Sequence, residues 1–366
     1  MSSSKAETPS LFSNGIAHPD YFLWDAWSCH FQGMLHLYCL ALPRRSSSGK
    51  AIHPDERNNY KFHVHHFSST DGGLTWLDCG VFQTPGVATD GHDSRNVWSG
   101  SVYVDNQEEL WAGYTGIEHP TIDRPFVQNM ALTKAHSSSC LEGANRYLVS
   151  SVMRDYASIL EAGYYLDARD SLGLASGESD GCILAWRDPF LFDNDGKHYM
   201  VFAAKAAKAS LAKPAMGLAL WNRDNPENGL TLLPPVELPD DHSFTQLEVP
   251  KIYPIKGNKQ FLLVCATTDR VSEEQPGEEV AMAIRIYFSE SIAGPWRSAG
   301  TKTSVLGNCQ HLFGATVLEI DEQAGEVTLM APYTTAPQDE RDLTFAPRFS
   351  IAIDELGCVD QLQASR

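Results

Sequence analysis

Basic side chains are scarce in this chain: Lys and Arg number 28 against 46 Asp and Glu, a formal net charge of −18 over 366 residues. Such a field repels phosphate backbones and anionic bilayers. It disfavours nucleic acid, membrane surfaces and polyanionic substrates, and leaves a neutral or cationic small ligand as the expected partner. No stretch approaches the apolar length of a membrane span. The opening MSSSKAETPSLFSNGIAHPD has no basic segment leading into an apolar run, so no cleaved signal and a cytoplasmic location are expected. No Cys-x-x-Cys pair occurs either. The cysteines (Cys29, Cys39, Cys79, Cys140, Cys182, Cys265, Cys309, Cys358) are dispersed, most of them in apolar strand-like runs, and read as buried free thiols in a reducing compartment. RRSSSGK, residues 44–50, has a Gly-Lys pair but lacks the leading glycine of a phosphate loop, and reads as a flexible connection.

Long helical patterns are also missing. What is present is a succession of short aromatic or β-branched segments such as VWSGSVYVD, KHYMVFAA, KQFLLVCAT and AIRIYFS, separated by Gly, Asn, Asp and Pro, which is the signature of strands and turns. The chain is therefore expected to be all-β. With 43 % hydrophobic residues it can bury a sizeable core. A looser repeat lies over the strands: an apolar strand, a polar turn and a second apolar strand, at LWDAWSCHFQGMLHLYCLAL, VWSGSVYVDNQEELWAGYTG, WRDPFLFDNDGKHYMVFAAK, VPKIYPIKGNKQFLLVCATT and GATVLEIDEQAGEVTLMAPYTT. The five hairpins lie roughly 60 to 90 residues apart, room for a four-stranded blade plus a loop, and predict a five-bladed β-propeller. FHVHHFSSTDGGLTWLDCGVF would complete the first blade and AIRIYFSESIAGPWRSAG the fourth. Residues 1–20 read as a frayed tail, and 21–366 as one propeller domain. A large sandwich or a two-domain β protein could be built from the same strands.

In a propeller the first strand of each blade lines the central axis, so polar residues at the starts of successive hairpins converge on one funnel. Those starts hold Asp25 between two tryptophans, Trp98 to Ser101, the pair Arg187 and Asp188, and Glu248 in QLEVPKI. Acids among aromatics are costly to bury unless paired or used. Two carboxylates flanking a sugar, with a third controlling their ionisation and rings to stack on sugar faces, would cleave a glycosidic bond. For any one of these acids, a turn or strand-cap hydrogen bond is the plainer explanation; the repeated position favours a site.

LWDAW, VWSGS, WRDP and LEVP, in this order and at this spacing, resemble the β-fructosidase superfamily of five-bladed propellers, and within it the levansucrase-type glycoside hydrolase family 68, related to families 32 and 43. The resemblance runs from about Tyr21 to about Tyr333, since DNDGKHYMVF and HLFGATVL also look like blade segments of that family. It implies Asp25 as nucleophile, Asp188 as transition-state stabiliser and Glu248 as general acid/base, in a retaining fructosidase or fructosyltransferase acting on sucrose or a fructo-oligosaccharide. It implies that Arg187 orients Asp188 or the sugar, and that Trp24, Trp98 and Ser99 shape the furanose subsite. Two positions depart from the levansucrase pattern. Gln246 stands where an acidic residue is usual and Val249 where an arginine is, and the Glu-x-Pro form at Glu248 to Pro250 looks more like the invertase or arabinanase-type relatives. Arg270, in TTDR, would reach the second sugar or remain a solvated loop charge.

An inverting arabinofuranosidase or xylosidase of family 43 type, with Asp25 as general base, is the nearest enzymatic alternative. Carboxyl groups roughly 5–5.5 Å apart would mark retention, and roughly 6.5–9.5 Å inversion. A sugar-binding propeller that has lost catalysis is the third reading, disfavoured by retention of all three acids. No cofactor and no metal are expected. His63 and His65 share a strand face, but no third ligand with suitable spacing is apparent, and they read as solvated. SSTDGGLTW reads as a tight turn, and the acidic stretch 270–280 as a solvated loop near the funnel rim. Nothing in these motifs sets an oligomeric state.

Overall fold

The computed structural model describes residues 10–86, 91–135, 137–141, 144–174, 183–208, 211–272, 275–309, 311–334, 336, 338, 340–353 and 363–364. They form five small antiparallel sheets arranged as a five-bladed propeller. Blade I contains β1 (Leu11–Ser13), β2 (Tyr21–Phe31), β3 (Met34–Pro43), β4 (His63–Ser69) and β5 (Thr75–Gln83). Blade II contains β6 (Asn96–Val104), β7 (Leu110–Glu118), β8 (Val127–Ala135) and β9 (Arg146–Ser151), followed by the short helix α1 (Tyr156–Glu161). Blade III is β10 (Arg187–Asn194), β11 (Lys197–Lys208), β12 (Leu211–Trp221) and β13 (Leu230–Val236). Blade IV is β14 (Gln246–Ile255), β15 (Gln260–Thr268), β16 (Met282–Ser289) and β17 (Arg297–Ser298); blade V is β18 (Thr316–Asp321), β19 (Glu326–Met330) and β20 (Phe349–Ala352). Each of the five repeated hairpins is the inner pair of one blade.

A blade in a ring has a neighbour on both faces, so its strands carry apolar residues on both sides and lose the alternation of a half-solvated sheet. β15 is buried along its whole length. Apolar clusters fill the five gaps: Leu40 and Tyr114 between blades I and II, Met130 and Phe202 between II and III, Val201 and Leu263 between III and IV, Val264 and Leu329 between IV and V, and Leu37 and Met330 between V and I. The inner strands β2, β6, β10, β14 and β18 surround the axis, with β6 between β2 and β10, and β14 joined to β18 where Val317 donates to the Tyr253 hydroxyl at 3.3 Å.

Part of the expected tail is ordered. β1 pairs with β5, setting Leu11 against Leu77, and Ile16 is fully buried with its N–H donating to the Phe345 carbonyl at 3.1 Å. The apolar residues Phe12 and Ile16, embedded among polar ones, dock across the seam between blades I and V and help close the ring. RRSSSGK also differs from its expectation: Ser46 donates to the Lys50 carbonyl and Gly49 to that of Ser46, each at 2.8 Å, so it forms a closed turn. In SSTDGGLTW the Asp71 carboxylate accepts the N–H groups of Leu74 and Thr75, while Gly72 and Gly73 take positive φ. Cys39, Cys265 and Cys309 are buried free thiols, as expected, whereas Cys29, Cys79 and Cys140 are free but only half-buried; Cys182 and Cys358 lie outside the described residues. Among the described residues no helix is long and apolar enough to cross a membrane.

Candidate active site

Four of the five inner strands break their ladders beside the axis. The pairing of β2 with β3 shifts between Trp24 and Ala26, that of β6 with β7 between Trp98 and Gly100, that of β10 with β11 between Arg187 and Phe190, and that of β14 with β15 between Glu248 and Lys251. The residues left over are Asp25, Ser99, the pair Asp188 and Pro189, and the pair Val249 and Pro250. A bulge bends its strand and re-aims a side chain, and a proline without an N–H is tolerated where the ladder is already interrupted. Asp25, Asp188 and Val249 sit at φ of 44°, 62° and 42°, the left-handed region that non-glycine residues seldom adopt. Strain of this kind gathers where backbone geometry serves a site.

The bulges open onto one cavity of about 540 Å³, lined by Trp24, Asp25, Trp98, Ser99, Arg187, Asp188, Gln246, Glu248 and Arg270. All nine candidates read from the sequence therefore reach the same space, whose size falls in the roughly 300–1,000 Å³ range of small-molecule sites. Val280 and Met282 also line it, so the far end of the acidic stretch reaches the rim, as expected; Glu273 and Glu274 of that stretch lie outside the described residues.

Hydrogen bonds fix the carboxylates. The Ser99 hydroxyl donates to Asp25 Oδ2 at 2.5 Å. The Thr115 hydroxyl accepts the Asp188 N–H at 2.8 Å and donates to the Ser99 carbonyl at 3.0 Å, tying blade II to blade III directly beneath both acids. The Val249 N–H donates to Asp188 Oδ2 at 3.1 Å. Arg187 lies 3.9 Å from Asp188 and donates to the Leu184 carbonyl at 2.8 Å. Burial pushes the Asp25 carboxyl up against the pull of Ser99, Lys251, Arg187 and Arg57. Burial likewise pushes Asp188 up to about 6; Arg187, the Val249 N–H and Lys251 oppose the rise, while the charge of Asp25 adds to it. At the rim, the Arg270 guanidinium donates to the Gln275 carbonyl at 2.9 Å, and the Arg270 carbonyl accepts Gln246 Nε2 at 3.3 Å. Gln246 Oε1 is buried without a protein donor, an acceptor suited to a ligand hydroxyl.

Several neighbours of the site had no sequence signal. Thr115 lies inside an apolar strand. Gly314 packs on Asp25 so closely that a Cβ would stand 3.0 Å from Oδ1. Arg57, on the 3₁₀ segment Pro54–Asn59, reaches the cavity mouth from the loop between β3 and β4. Lys251 is 2 % exposed beneath the carboxylates, although its strand position gave no reason to expect burial.

His63 and His65, expected to be solvated, are half-buried and buried, because Tyr21 packs on His63, and His18 and Asp78 on His65. His65 Nε2 lies 2.7 Å from Asp78 Oδ1, and His18 Nε2 lies 3.1 Å from Oδ2. These three are the one group among the described residues with metal-ligand proximity. Their hydrogen bonds give another account. His18 Nδ1 accepts the Asp20 N–H at 3.1 Å, which leaves the proton of the neutral ring on Nε2, aimed at Asp78 rather than offering a lone pair. Burial works to raise the Asp78 carboxyl, yet the hydrogen bonds from His18 and His65 hold it well below the usual carboxylate range.

A five-bladed propeller with three carboxylates on bulged inner strands around one cavity has the architecture of a glycoside-cleaving fold. The chain matches the glycosyl hydrolases family 32 N-terminal domain over residues 52–296, and it belongs to that family. The matched span contains Arg187, Asp188, Glu248 and Arg270, whereas Asp25 precedes it. No curated protein sequence matches the chain. Among solved structures, it is similar to the levansucrase of Bacillus subtilis crystallised with oligosaccharides, at 14 % identity and a TM-score of 0.62, covering 96 % of this chain and 87 % of that one. It is also similar to the inulosucrase of Halalkalicoccus jeotgali bound to kestose, at 16 % identity and a TM-score of 0.60, covering 96 % and 91 %. The levansucrase of B. megaterium gives 16 % and 0.62, covering 97 % and 88 %. At such identities the likeness establishes the shared fold. Family and fold together agree with the superfamily identified from the motifs.

Proposed function

We propose that the protein is a retaining β-fructofuranosidase or fructosyltransferase acting on sucrose, a fructo-oligosaccharide or another small fructoside. The observation that carries this reading is the placement of Asp25, Asp188 and Glu248 on the wall of one cavity in a chain of family 32. Asp25, held by Ser99, is the nucleophile. Its carboxylate attacks the anomeric carbon while the bond to the leaving oxygen breaks, and Glu248 delivers its proton to that oxygen. Water or a sugar hydroxyl then opens the fructosyl ester, giving its proton to Glu248 as the new bond forms. Asp188 accepts ring hydroxyls and opposes the positive charge of the oxocarbenium-like transition state. Gln246 and Arg270 face the second sugar, for which the unpartnered Gln246 Oε1 supplies an acceptor. The crystallised complexes of the similar levansucrase and inulosucrase with oligosaccharides and kestose support a small carbohydrate as ligand.

The test is release of fructose and glucose from sucrose and kestose by the wild type, Asp25→Ala and Glu248→Ala. Activity in the wild type and its loss in both variants is the expected result. A wild type inert on fructosides that cleaves aryl arabinofuranosides with inversion overturns the proposal.

A further inference from the structure

Lys251 is a buried cation to which the proposed chemistry assigns no part. It follows Glu248 by three positions on β14 and is 2 % exposed. A buried ammonium persists only where oxygens and opposite charge compensate for lost water. Two features at this site supply that compensation. Lys251 Nζ donates to the Val249 carbonyl at 3.1 Å, while the N–H of the same residue donates to Asp188 Oδ2 at 3.1 Å. Val249 is β-branched and sits at φ 42°, so its peptides need outside contacts to hold them, and Lys251 and Asp188 grip it from its two ends. Glu248 immediately precedes this bulge, paired in register with Ala266. The charged and titratable groups facing the ammonium are Asp25 on β2, Asp188 on β10 and Cys265 on β15, with Glu248 on its own strand and Arg187 beside Asp188.

We propose that Lys251 is a positioning residue of this site: its ammonium fixes the Val249 bulge and supplies the buried positive charge against which Asp25 and Asp188 carry theirs. Burial lowers the ammonium to about 8, opposed by Asp25 and Asp188, so the group is charged at neutral pH and titrates within an accessible range. The effect on catalysis rests on the glycosidase reading, whereas the effect on the carboxylates does not.

The experiment is a pH titration of protein labelled with [γ-¹³C]aspartate. The signals of Asp25 and Asp188 are assigned by their loss in Asp25→Asn and Asp188→Asn. In the wild type both signals are expected to respond near pH 8, where Lys251 loses its proton. In Lys251→Met their midpoints are expected to rise by about 1 to 3 pH units, the usual effect of removing a close opposite charge. Lys251→Arg keeps the charge, so the midpoints return toward the wild type while the response near pH 8 disappears. On a fructoside, the acid limb of kcat/KM in Lys251→Met moves with the midpoints, and kcat falls more than KM changes. Unmoved midpoints in a folded Lys251→Met overturn the proposal. If that variant does not fold, Lys251→Gln is titrated in its place, and midpoints unmoved in it overturn the proposal. Carboxylates that behave as expected in a protein cleaving no fructoside would uphold Lys251 and sink the fructosidase reading.

Discussion

Replacing Asp188 with Asn should make the protein more stable and less active, with the stability gain confined to neutral and alkaline pH. The Asp188 carboxyl is pushed from its ordinary 3.8 to about 6, a value that already includes the help of Arg187 and Lys251. A carboxyl raised in the fold binds its proton more tightly there than in the unfolded chain. Between about pH 4 and 6 the native state therefore holds more protons, and stability falls as pH rises through that window. Above it, the full cost of keeping the ion buried is present: about two pH units at 1.36 kcal/mol each, or roughly 3 kcal/mol. Asn keeps the shape, and its carbonyl can still accept the Val249 N–H now bonded at 3.1 Å. Denaturant unfolding at pH 4 and at pH 7.5 checks this. The variant should match the wild type at the lower pH and exceed it by roughly 3 kcal/mol at the higher, with fructoside cleavage reduced by orders of magnitude. A variant less stable at pH 7.5, or a gain of equal size at both pH values, would refute the claim that burial of this charge sets the shift. The site would then lack the conflict between stability and function common where charges are held for chemistry.

Ser99→Ala removes the hydroxyl bonded to Asp25 Oδ2 at 2.5 Å without opening a cavity. A hydrogen bond to a charged group contributes about 1.5–3 kcal/mol, so the Asp25 carboxyl should rise further and the acid limb of kcat/KM move up by about 1 to 2 pH units; an unmoved limb in a folded variant would mean that Ser99 does not serve Asp25. Thr115→Val leaves the Asp188 N–H and the Ser99 carbonyl without their shared partner, both in buried positions. Calorimetry should record a loss of about 2–4 kcal/mol, and kcat should fall as both acids drift; unchanged stability would show that the inter-blade link is not needed.

Much of this molecule was legible as pattern. Five repeated hairpins become the inner pairs of five blades, because a strand packed on both faces must be apolar on both, and such runs stand out between Gly-rich and Asp-rich turns. The residues around Asp25, Ser99, Asp188 and Glu248 were legible because polar side chains at the heads of apolar strands have no packing reason to be there. Val249 was read as a departure from the levansucrase pattern, a missing arginine. In the fold its backbone matters more than its side chain, since the bulge turns its N–H toward Asp188. β1 was hidden because two apolar residues in a polar stretch look like a tail until the seam they cover exists.

The sequence by itself determined the strand content, the number of blades and which side chains could do chemistry, since these follow from local periodicity and residue type. Tertiary structure decided the charge state of those side chains and what surrounds them. Lys251 on an isolated strand would be a solvated cation; closing the ring buries it with Asp25 and Asp188. Burial and Coulomb forces between residues more than two hundred positions apart come into play only once all five blades meet at the axis.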